Sequence, residues 1–99
     1  MKKSYKFNYV FVMYDIADEE SEAGKNRVAK VFKICKKYLE HYQKSVFRGS
    51  ITPANIIKLK KELQDVIDDD LDFISIVKLP GEWSFEEEKL GNADMSIFL

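Results

Sequence analysis

The residues of this chain that could do chemistry concentrate around one point in the sequence. Asp15 closes an almost continuous apolar run from Phe7 to Tyr14 (FNYVFVMY) and is followed by Ile16. A carboxylate at the end of a strand is held by the backbone and can meet a cation, although the same position also suits a turn or helix-cap aspartate. One carboxylate is a thin metal site. Mg²⁺ prefers octahedral oxygen coordination assembled from one or two carboxylates, waters and substrate phosphates. Two copies of the chain related by an axis near Asp15 would bring two such carboxylates together. Further along, Lys25, Arg27, Lys30, Lys33, Lys36, Lys37, Lys44 and Arg48 stand against Glu40 alone between residues 25 and 48. This segment reads either as a basic track for phosphates or as the solvated face of a helix.

The other reactive types have quieter readings. His41 is the only histidine. It is a proton-shuttle candidate by chemistry and a half-exposed strand histidine by context, because no recognisable motif accompanies it. Cys35 falls in an apolar helical stripe and reads as core. As the single cysteine it excludes an intrachain disulfide and a thiolate zinc cluster. Trp83, after Pro80-Gly81, could anchor the tail or an interface. No Walker loop, GxSxG or HExxH occurs, and Ser45-Val46-Phe47-Arg48-Gly49 does not match the aromatic-rich signature of an RNA-recognition module.

The elements that must position these residues follow from periodicity and punctuation. Ninety-nine residues fit one domain, residues 1–99. Phe7 to Tyr14 predicts a central strand. Asp18 and Ser21 offer N-caps for a helix whose apolar stripe is Val28, Val31, Phe32, Cys35 and Leu39. His41 to Ile51 reads as two short strands with a bend between them. Thr52-Pro53 opens a second helix, lined by Ile56, Leu59, Leu63 and Val66 and stopped by Asp68 to Asp70. Phe73 to Leu79 is a strand ended by Pro80-Gly81, and Met95 to Leu99 a terminal strandlet. With right-handed crossovers this order is the α+β, ferredoxin-like βαββαβ sandwich.

The first strand is apolar on both faces, so a second copy is expected to cover the face away from the helices, with the terminal strandlet reaching across. Net charge is −1, but residues 1–48 carry eleven Lys/Arg against six Asp/Glu and residues 49–99 five against eleven. The acidic half is expected to face away from the basic track. The N-terminal apolar stretch is too short for a membrane span, and the cytoplasm is the expected compartment.

Three segments in order carry a family resemblance. Tyr14-Asp15-Ile16 after the first strand, Asn26-Arg27-Val28-Ala29-Lys30 in the first helix, and Gln43-Lys44-Ser45-Val46-Phe47-Arg48-Gly49 after it closely resemble the CRISPR-associated protein two family, small adaptation nucleases. Leu90-Gly91 followed by Ile97-Phe98-Leu99 agrees, so the resemblance spans essentially the whole chain.

The resemblance implies a ferredoxin-like homodimer, Mg²⁺-dependent cleavage of RNA or DNA in some members, and association with the integrase subunit that inserts spacers into the CRISPR array. It places the catalytic, metal-binding aspartate on Asp15. It places nucleic-acid contacts on Lys25, Arg27, Lys30 and Arg48, with Tyr14, Ser45 and Phe47 in support. Where many relatives have an arginine before the Gln of the third segment, this chain has His41. Duplex DNA and single-stranded RNA are the expected nucleic acids. Two other readings stand beside the nuclease: a non-catalytic dimeric bridge that binds duplex DNA for the integrase, and a toxin-type endoribonuclease of similar fold.

Overall fold

The structure is a computed structural model describing residues 7–91. Its first strand, β1 (Tyr9–Asp15), begins two residues later than the apolar run and includes Asp15 itself. A helix, α1 (Glu22–Tyr38), follows a short loop. Ser21 caps it by accepting from the Gly24 N–H at 3.0 Å, so Ser21 and not Asp18 serves as the cap. Asp18 instead turns the loop with φ at 53°, a conformation that aspartate tolerates better than most residues.

The extended segment resolves into β2 (Glu40–Gln43) and β3 (Val46–Ser50). The bend lies at Lys44-Ser45, where Lys44 takes a positive φ of 34°, and the β2–β3 register slips between His41 and Gln43. Thr52 caps α2 (Pro53–Val66) by accepting from the Asn55 N–H at 3.1 Å, with Pro53 in the first turn. The last long strand is β4 (Phe73–Leu79), followed by a single 3₁₀ turn, Glu82–Ser84.

The sheet order is β2-β3-β1-β4, and every neighbouring pair is antiparallel. This is the ferredoxin-like arrangement, with β1 central and hydrogen-bonded on both sides. Strand alternation sends Val10, Val12 and Phe47 to the face covered by the two helices. There they are fully buried with Val31 and Cys35 of α1 and Leu59 of α2, while Ile56 and Leu63 of α2 are nearly so. Burial pushes the Cys35 thiol up to about 12, as befits a core residue.

The opposite face is partly covered within one chain. The chain's own segment after β4 folds back over part of it. Phe85 packs on Tyr9 and Phe11, with ring centroids 5.4 and 5.3 Å away. Glu87 accepts from Arg48 Nη1 at 2.7 Å and from the Tyr42 hydroxyl. The apolar character of Tyr9 and Phe11 therefore has a cause within one chain. Met13, Val77 and Phe73 on the same face stay 37%, 41% and 65% exposed. Trp83 is 79% exposed, so Phe85 and Glu87, not the tryptophan, tie down this segment. The Met95–Leu99 strandlet lies outside the described residues. Among the described residues, no helix is long and apolar enough to cross a membrane.

Candidate active site

Asp15 forms the last rung of the β1–β4 ladder, opposite Phe73. It lies on the face away from the helices, in line with Phe11 and Met13. Its carboxylate is exposed, and among the described residues it has no hydrogen-bond or ion-pair partner. A rigid backbone thus presents a bare carboxylate to solvent. Among the described residues no three His, Cys, Asp or Glu side chains gather into a metal cluster. One chain offers a cation a single fixed carboxylate, which fits Mg²⁺ as part of a site completed by other oxygens, not as a closed protein cage.

The loop behind Asp15 is held by a buried carboxylate that the sequence reading passed over. The side chain of Asp72 has no solvent exposure and accepts four hydrogen bonds. They come from the Ala17 N–H at 2.9 Å, the Asp68 N–H at 2.9 Å, Arg27 Nε at 2.8 Å and Arg27 Nη2 at 3.3 Å. Arg27 Nη2 also donates to the Ala17 carbonyl at 3.0 Å. Burial alone would raise the Asp72 carboxyl. The N–H groups of Asp68 and Ala17 and the Arg27 guanidinium outweigh it and hold the carboxyl below its ordinary range. Gly24 belongs to the same arrangement. A Cβ there would stand 1.7 Å from the Asp18 carbonyl oxygen, so only glycine lets α1 approach the loop this closely.

The other anticipated residues separate into three groups. Lys25 and Lys30 are exposed on α1, as an ionic contact to phosphate requires. Arg27 and Arg48 are not presented that way. Arg27 is engaged by Asp72, and Arg48 by Glu87 at 2.7 Å while its guanidinium lies 4.1 Å from the Tyr42 ring centre. The supporting residues are structural in their placement. Phe47 is fully buried. Tyr14 stacks on Phe47 at 6.3 Å, and burial pushes its hydroxyl up to about 12, with Cys35 and Glu19 adding to the rise. Ser45 accepts through its carbonyl from the Tyr14 N–H at 3.1 Å, joining the β2–β3 turn to β1. His41 sits against Phe32 and Phe47, both at 4.8 Å, and its Nε2 lies 2.8 Å from the Lys44 carbonyl. It therefore braces the turn.

The expected separation of charge is also corrected. Arg27–Asp72, Lys37–Glu62 and Arg48–Glu87 each join the basic first half to the acidic second half. The acidic half folds onto the basic one and neutralises part of it. Among the described residues, the cations of the anticipated track that remain without an ion-pair partner include Lys25, Lys30 and Lys33 on α1.

By its fold the chain is a small ferredoxin-like α+β protein, with an exposed aspartate at the end of its central strand. Residues 8–87 match the family model described as CRISPR associated protein Cas2, and the chain belongs to that family. It is 45% identical over 83 residues to the CRISPR-associated endoribonuclease Cas2 of Fusobacterium nucleatum, covering 84% of this chain and 76% of that protein. A Thermodesulfovibrio yellowstonii protein called CRISPR-associated endoribonuclease Cas2 3 is 41% identical, covering 84% and 86%. The crystal structure of Streptococcus pyogenes Cas2 superimposes with a TM-score of 0.73 at 37% identity, covering 84% of this chain and 99% of that one.

Proposed function

We propose that this chain is a divalent-metal-dependent phosphodiesterase subunit of CRISPR spacer acquisition, acting on RNA or duplex DNA as a homodimer. The observation that carries this reading is the bare Asp15 carboxylate at the end of the central strand, in a family whose relatives are named endoribonucleases. A second copy laid on the exposed part of the open face would cover Met13, Val77 and Phe73 and bring a second Asp15 near the first. The two carboxylates would hold Mg²⁺, which when bound activates water and neutralises charge on the scissile phosphate. Lys25 and Lys30 supply cationic contacts to the backbone without reading bases. The integrase subunit is the proposed protein partner and the cytoplasm the compartment.

The test is an Asp15→Asn variant, which keeps the side-chain shape and removes its charge. Cleavage of single-stranded RNA and duplex DNA is measured across a Mg²⁺ titration, with sedimentation to follow the dimer. Metal-stimulated cleavage is expected to disappear while the dimer persists. A variant that cuts as fast as wild type would overturn the assignment. Metal-independent binding of duplex DNA without any cleavage by wild type would favour the non-catalytic bridge.

A further inference from the structure

Asp15 is fixed from two sides. Its own backbone is the last rung against Phe73. Two residues later both backbone groups of Ala17 are taken by one ion pair, the N–H by Asp72 and the carbonyl by Arg27. Asp72 is the residue immediately before Phe73, so rung and clamp come from the same stretch of chain. Asp72 also accepts from the Asp68 N–H, which ties the turn after α2 into the clamp, while Arg27 ties in α1. Three elements thus meet on the two-residue step that follows Asp15.

A buried ion pair is weak evidence for stability, since an apolar replacement often serves as well. Its directional bonds are better suited to fixing a backbone. A carboxylate that shares a metal with a symmetry mate has to point correctly within a few tenths of an ångström. Although Ile16 packs into the core beside it, apolar contact is not directional in the way these hydrogen bonds are.

We propose that Asp72 and Arg27 are positioning residues for Asp15. They hold the backbone at residues 15–17 so that the Asp15 carboxylate is oriented for its cation, and neither touches the metal or the substrate. This rests on the reading of Asp15 as the metal-binding residue. It also gives Arg27 a role different from the phosphate contact that the family resemblance suggested. Asp72 serves to separate the two roles, because a buried anion is a poor phosphate ligand and its loss should matter only if the clamp matters.

The experiment measures Mn²⁺ affinity by electron paramagnetic resonance on the full-length protein, with Mn²⁺ as the probe and no substrate present. Wild type is compared with Asp15→Asn, Asp72→Asn, Arg27→Lys and the Asp72→Asn/Arg27→Lys double variant. Arg27→Lys keeps the cation but cannot bond Asp72 and Ala17 together. Each single clamp variant is expected to weaken Mn²⁺ binding roughly tenfold, as loss of groups that orient a metal ligand does. The double variant is expected to be no weaker than either single, because one clamp is removed in all three.

Duplex DNA binding without metal should keep its salt slope in Arg27→Lys and Asp72→Asn. If Asp72→Asn fails to fold, the Arg27→Lys arm carries the same two readouts. Mn²⁺ affinity within twofold of wild type in the clamp variants, with Asp15→Asn binding abolished, would overturn the proposal alone. Effects that multiply in the double variant would do the same. Unchanged Mn²⁺ binding in Asp15→Asn would instead remove the metal reading, and the proposal with it.

Discussion

The two faces of the sheet are built from the same four strands but held in different ways. The helix face is a closed apolar core, with Val10, Val12 and Phe47 at zero exposure under α1 and α2. The other face is covered only in part among the described residues, by a strap of chain in which Phe85 lies on Tyr9 and Phe11 and Glu87 is pinned to Arg48 and Tyr42. The ion pairs repeat the contrast. Asp72 at the Asp15 end is sealed from solvent and accepts four bonds, whereas Glu87 at the strap is partly exposed and accepts two. The structure invests rigidity behind Asp15 and leaves the face on which Asp15 opens lightly covered.

Three substitutions probe that difference. The largest effect is expected at the helix face, where Phe47→Ala should lower unfolding free energy by about 4 kcal/mol in denaturant titrations. A loss below about 1 kcal/mol would mean that the core tolerates a hole where the helices meet the sheet. Next comes the clamp. Asp72→Asn should cost about 2 kcal/mol at neutral pH, less than a fully enclosed pair because Arg27 retains 16% side-chain exposure.

Its pH dependence has a definite sign. The folded Asp72 carboxyl titrates below its ordinary value of 3.8. Its contribution is therefore complete above that value and lost as pH falls through the lower folded value. Acid unfolding curves of Asp72→Asn should be flatter below pH 4 than those of wild type, though not flat, because Glu62 and Glu87 are also held low by their partners. Parallel acid limbs would contradict the bonding described. The smallest effect belongs to the strap. Phe85→Ala should cost about 1 kcal/mol and lower the fluorescence anisotropy of Trp83, the single tryptophan. Unchanged anisotropy would show that the strap is held elsewhere.

The readable parts of this sequence were those decided locally. Ser21 and Thr52-Pro53 mark helix starts through short-range bonds, and the apolar spacing of α1 and α2 identifies the faces that became the core. The β2–β3 bend was not readable, because a lysine adopts the positive φ that glycine or asparagine would have advertised. Asp15 stands out because a charge ends an apolar strand. Asp72 does not stand out, because three other aspartates between residues 68 and 72 give it the look of a solvated turn. Its burial depends on Arg27, 45 positions away. The same distance effect hides the pairing of Arg27 with Asp72 and of Arg48 with Glu87, since helical spacing tells which residues share a face but not which carboxylate arrives from the other half. Phe47 stands out in the sequence through its motif, whereas its place at the centre of the core depends on the tertiary structure.

The antiparallel pairing of β1 with β4 also orders events in time. Asp15 emerges early in synthesis, yet its rung partner and its clamp are residues 73 and 72. Between them lie both helices and the β2–β3 hairpin, so this contact closes a long loop and has to wait for it. A nascent chain shorter than about seventy residues would carry the aspartate without anything to aim it. The backbone that fixes Asp15 is thus completed only when β4 docks against β1.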